Sequence, residues 1–125
     1  MELTEHRGGN HHVVREVSGQ AVRIDRTSYH NSLILGARYL ETDWPVTSLS
    51  ELTGKRLDPL LQADPELVII GAGEVHQILD VEIQRVFIER GIGIECMTLP
   101  AAARTFNILM SENRRALAAF ILPKR

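Results

Sequence analysis

Leu67-Val68-Ile69-Ile70, closed by Gly71-Ala72-Gly73, is the stretch whose reading decides the fold. Four apolar residues in succession, without alternation, describe a strand buried on both faces, the pattern of a parallel sheet covered by helices. Downstream, Leu79, Ile83, Val86 and Phe87 recur at helical spacing within Val75–Arg90, with Asp80 as a candidate N-cap. Gly91 stops that helix and Ile92–Met97 makes the next strand. Pro100, in a first turn, opens a final helix with Phe106, Leu109 and Met110 as its apolar stripe. Ala116–Leu122 is a closing strand ended by Pro123. Strand–helix–strand–helix–strand predicts an α/β domain in which Leu67–Ile70 and Ile92–Met97 are parallel neighbours joined by a right-handed crossover.

Working upstream, Asp64-Pro65 breaks the chain, and Ser48–Leu61 reads as two short helices because Gly54 and Pro59 forbid one long one. Ser48-Leu49-Ser50-Glu51 has the spacing of a capping box. Gly36–Pro45 reads as a connection anchored by Trp44. Short apolar runs from Val13 to Leu35, divided by Ser18-Gly19 and Asp25–Ser28, suggest an antiparallel meander. Residues 1–9, ending in Gly8-Gly9, read as a loose tail, and residues 10–125 as a single α/β domain.

Composition narrows the function classes. Fourteen basic residues against 16 acids leave a net charge of −2, so nothing favours wrapping nucleic acid. The single cysteine, Cys96, excludes an internal disulfide and fits a reducing compartment. No run approaches the roughly 20 apolar residues that span a bilayer. The acids Glu2 and Glu5 stand where a signal or transit peptide wants cations, so the expected location is the cytoplasm, without membrane insertion.

The chemistry-bearing residues fall into few groups. Gly71 and Gly73 after a buried strand suggest a phosphate-cradling turn, but His76 stands where a dinucleotide motif wants its third glycine, and Glu74 repels phosphate. The plainer reading is a tight turn. Thr98, Arg104 and Asn107 form a polar cluster in Thr98–Arg115. Thr98 reads as a cap, while Arg104 and Asn107, three residues apart on one helical face, can address one anion or carboxyl group. An acid on a neighbouring loop is the ordinary partner for such an arginine. The strands preceding these segments would end on one sheet edge, where open α/β sheets carry their clefts. Cys96, late in an apolar strand, reads as a buried core thiol. His6, His11 and His12 have no cysteine or carboxylate beside them at ligand spacing, so no metal or cofactor is expected. No Ser-His-Asp order, zinc-protease helix or phosphate-loop motif occurs.

The segments LVIIGAGE, RGIGIECM, AAARTFN and SENRRALAAFILP resemble the domain of unknown function 498 family, which includes the mitochondrial NADH dehydrogenase (complex I) assembly factor 3. The likeness covers roughly Ala21 to Pro123, with Tyr29, Ser32 and the Trp44 region, and is strongest over Gly91–Leu122. It implies a three-layer α/β domain: a mixed, partly parallel central sheet, helices packed on it, and an added N-terminal antiparallel β-meander. Ala72 stands where the family pattern has threonine, and Asn113 where it typically has glycine. The resemblance supplies no catalytic residues. Two functions are therefore open: a non-enzymatic, assembly-factor-like module acting through a protein partner, or a small-ligand binding protein or enzyme with a site for an anion or carboxylate at Gly71, Gly73, Thr98, Arg104 and Asn107. An exposed apolar patch would favour the first. A concave pocket with Arg104 facing into it would favour the second.

Overall fold

The computed structural model describes residues 11–124, so the tail expected over residues 1–9 lies outside the described residues. Strands β1 (Val14–Val17), β2 (Val22–Ile24) and β3 (Thr27–Tyr29) form a small antiparallel sheet, the expected meander. Leu33–Leu35 does not continue it. This segment, β4, leaves to pair with the main sheet, because all three of its side chains are buried and need cover on both faces. A two-residue strand β5 (Leu40–Glu41) pairs with it inside what the sequence suggested was a mere connection.

Short 3-10 turns at Leu49–Glu51 and Gly54–Leu57 lead into helix α1 (Asp58–Gln62). The expected capping box is not formed. Ser48 makes no cap bond, and Glu51 Oε1 instead accepts from the Thr47 backbone N–H at 2.7 Å and from its hydroxyl at 3.2 Å. A 3-10 turn of three residues presents Glu51 one residue further back than an α-helical turn would. Trp44 is the expected anchor: it is buried, and its indole N–H donates to Arg56 O at 2.9 Å.

Then come β6 (Leu67–Ala72), α2 (Val81–Ile88), β7 (Gly93–Met97), α3 (Leu99–Ser111) and β8 (Ala116–Ile121). The main sheet runs β5-β4-β8-β6-β7, with β6 parallel to both β7 and β8 and β4 antiparallel to β8. Alternation along β6 and β8 divides the core into two halves. Val68 and Ile70 with Leu117, Ala119 and Ile121 face Ile83 and Phe87 of α2 and Leu57 and Leu60 near α1. Ile69 with Ala118 and Phe120 faces Leu99, Ala102 and Phe106 of α3, joined by Val14, Val22 and Ile24 of the meander. The domain is thus three-layered, as the resemblance implies. Burying a side chain such as Phe106 contributes about 1.5–3 kcal/mol.

Two polar devices, one buried and one half-buried, fasten the layers. Ser32 Oγ donates to Leu122 O at 3.3 Å and accepts from Leu122 N–H at 2.8 Å, tying the start of β4 to the end of β8. Asn107 of α3 accepts from Val14 N–H at 3.0 Å and donates to Val14 O at 2.9 Å, clamping β1 to the helix.

Candidate functional site

The strand ends do fall on one edge, since β6, β7 and β8 are mutually parallel or linked through parallel pairs. The residues singled out there serve different ends. Gly71 is buried within β6, where an added Cβ would stand 2.6 Å from Cβ of Ala102, so it permits α3 to approach the sheet. Gly73 takes the turn at φ +67, and its carbonyl accepts from Leu99 N–H at 2.9 Å. Thr98 is the N-cap of α3, its hydroxyl accepting from Ala101 N–H at 3.3 Å. Asn107 is spent on Val14. Arg104 is exposed and makes no hydrogen bond or ion pair among the described residues.

A cleft of about 360 Å³ does open at this edge, lined by Ala72, Gly73, Glu74, Gln77, Leu99 and Thr47 among others. Its ionisable lining residue is Glu74, and Arg104 is absent from its walls. An anion would meet a carboxylate there. His11 and His12 point elsewhere: His12 Nδ1 donates to Gly36 O at 2.9 Å and His11 Nδ1 to His12 O at 3.0 Å.

The more distinctive surface lies beside β7. After Gly73 the chain runs without regular structure to Asp80, which caps α2 by accepting from Glu82 N–H at 2.9 Å. Leu79 turns into the core, but Val75, Ile78 and Val81 are 76%, 85% and 62% exposed. Ile88, one heptad beyond Val81 on the same helix, is exposed as well. Between this segment and β7 lies a cleft of about 240 Å³, lined by Ile78, Leu79, Ile94 and Cys96 with polar neighbours including Gln84 and Glu95. Cys96 is half-buried, less enclosed than its sequence context suggests, and burial pushes its thiol pKa up. Neither the exposure of Val75 and Ile78 nor the edge position of β7 could be read from the sequence. The one signal was Val75-His76-Gln77-Ile78, two apolar residues in a polar run outside the helical stripe.

At the opposite end of the parallel strands, Glu66 accepts from Arg114 Nε at 2.7 Å and from Arg115 N–H at 3.2 Å. The Arg114 hydrogen bond, then the Arg115 backbone, holds its carboxyl below the usual glutamate range.

A mixed sheet between α-helical layers, with a β-meander on one side, defines a small three-layer α/β module. Over residues 14–121 the chain matches the family described as protein of unknown function (DUF498/DUF598), and it belongs to that family. It is 30% identical to the 13 kDa major membrane protein of Francisella tularensis over 94 residues, covering 74% of this chain and 76% of that one. It is 37% identical over 82 residues to the NADH dehydrogenase [ubiquinone] 1 alpha subcomplex assembly factor 3 of Danio rerio, covering 64% of this chain and 47% of the relative. A protein of Xanthomonas campestris solved by NMR superposes with a TM-score of 0.83 at 34% identity, covering 98% of this chain and 92% of that one. Among the described residues, no helix is long and apolar enough to cross a membrane.

Proposed function

We propose that this chain works by binding another protein, in the manner of an assembly factor, without turnover of its own. The observation that carries this reading is the exposure of the apolar side chains Val75, Ile78 and Val81, with Ile78 lining the cleft beside the edge strand β7. Apolar side chains held out of the core on one surface are characteristic of interaction sites. Relatives named as complex I assembly factors support the same reading. The small-ligand alternative asked for a concave site containing Arg104, and the cleft nearest the glycine turn offers Glu74 instead. A single cysteine, with no second one for an internal disulfide, accords with action in the cytoplasm.

The test is affinity capture from the native host with quantitative mass spectrometry. Ile78→Asp and Arg104→Ala both change exposed side chains, so both variants should fold. Loss of a specific partner from the first and its retention by the second is the expected outcome. Equal capture by wild type and Ile78→Asp would refute the reading.

A further inference from the structure

We propose that the outer edge of β7 receives an extended, basic segment of another protein as an added strand. The proposal rests on the protein-binding reading above and specifies its mode. Strand β7 ends the sheet. Gly93 N–H donates to Glu66 O at 3.0 Å, and the pairing continues in register from Gly93 to Met97. Alternation therefore turns the N–H and C=O groups of Gly93, Glu95 and Met97 towards β6 and those of Ile94 and Cys96 outward. Among the described residues, no side chain or loop satisfies these outward groups.

Sheet edges are ordinarily guarded by brevity, a bulge, proline or lysine, or a covering segment. The opposite edge is guarded by brevity, since β5 has two residues. Strand β7 has five residues, no proline, no lysine and no break in register. The segment from Val75 to Asp80 runs nearby without pairing, leaving the cleft between Ile78 and Leu79 on one side and Ile94 and Cys96 on the other. That cleft suits an apolar side chain of an incoming strand, while main-chain bonds to Ile94 and Cys96 supply the pairing.

Charge selects the occupant. Glu95 is exposed and is the one carboxylate among the residues lining this cleft, which include no arginine or lysine. Glu95 stands on the strand itself, so the added strand should carry basic residues on the Glu95 face and apolar ones on the Ile94 and Cys96 face. A second copy of this chain fits poorly. The antiparallel register that overlaps all of Gly93–Met97 sets Glu95 against Glu95, and like charges directly opposite destabilise a pair.

The probe is the peptide acetyl-Lys-Val-Lys-Val-Lys-Val-amide added to the isotopically labelled full chain, read by amide NMR and hydrogen exchange. The amides of Ile94 and Cys96 should shift and exchange more slowly, while the Glu-for-Lys peptide should bind at least about tenfold more weakly. A Lys-Val peptide N-methylated on alternate residues should lose binding in the frame that blocks pairing. Ile94→Ala should keep the response, and Ile94→Pro, which removes the outward N–H and fixes φ, should abolish it while the remaining amide spectrum shows the chain folded. If the N-methylated peptides bind equally in both frames, or millimolar peptide leaves both amides unprotected, strand addition is overturned. Should that happen while Ile78→Asp still loses the host partner, the protein-binding reading stands without it.

Discussion

Asn107 uses both ends of its carboxamide on Val14, which makes it a fastening of β1 to α3 and not a group free to meet a ligand. Asn107→Ala should therefore lower stability by about 1–3 kcal/mol, because the Val14 N–H and C=O lose their partners. Urea unfolding measures this directly. Arg104→Ala, three residues away but exposed, should change stability by less than about 0.5 kcal/mol. The two residues share a helical spacing, which was legible, yet one meets a strand and the other solvent. That difference depends on where the meander docks, and helical periodicity carries no information about it. Thr98 as a cap was legible because the chemistry is local: a hydroxyl three residues before an orphan N–H. For Cys96, burial raises the thiol pKa, so the reactive thiolate is scarce at neutral pH. Modification by a disulfide reagent should be slow near neutrality and accelerate as pH rises past the ordinary thiol range. Rapid modification at neutral pH would contradict the assignment.

Between elements, α3 approaches β6 too closely at Gly71 for a side chain to fit. Gly71→Ala would drive a methyl group into Ala102 and should destabilise by about 1–3 kcal/mol through overpacking, measured by thermal or urea unfolding. Local motif reading linked this glycine to phosphate because helix–strand contact and phosphate contact demand the same missing side chain. Only the facing Ala102 separates them. The end of α3 shows the converse, where family pattern and geometry agree: Asn113 adopts φ +61, a conformation glycine takes freely and asparagine tolerates. Asn113→Val should cost about 1–2 kcal/mol there. Where β6 begins, Glu66 is held by Arg114 and Arg115 with its pKa lowered. The sign follows from that direction: the contribution is present at neutral pH and disappears as pH falls through the lowered value. Glu66→Gln should flatten that part of the acid stability profile. Strands β6, β7 and β8 were legible from apolar runs and their punctuation. The departure of Leu33–Leu35 from the meander was not, because partner choice among short strands is decided by burial on both faces.

Across the whole molecule, two cores on opposite faces of one sheet fix the layers, and the sheet order leaves a two-residue edge at β5 and a five-residue edge at β7. Sequence can propose strands but does not rank them as centre or edge, and it cannot tell Leu79, which enters the core, from Ile78, which does not. For that reason the proposed binding face escaped a reading that found the layers around it. The contact account is tested most directly by photo-crosslinking in the native host, with benzoylphenylalanine replacing Ile78 in one variant and Arg104 in another. The account predicts a discrete crosslinked protein from position 78 and none from position 104. A crosslink from position 104 alone, or no protein from either position, would contradict it.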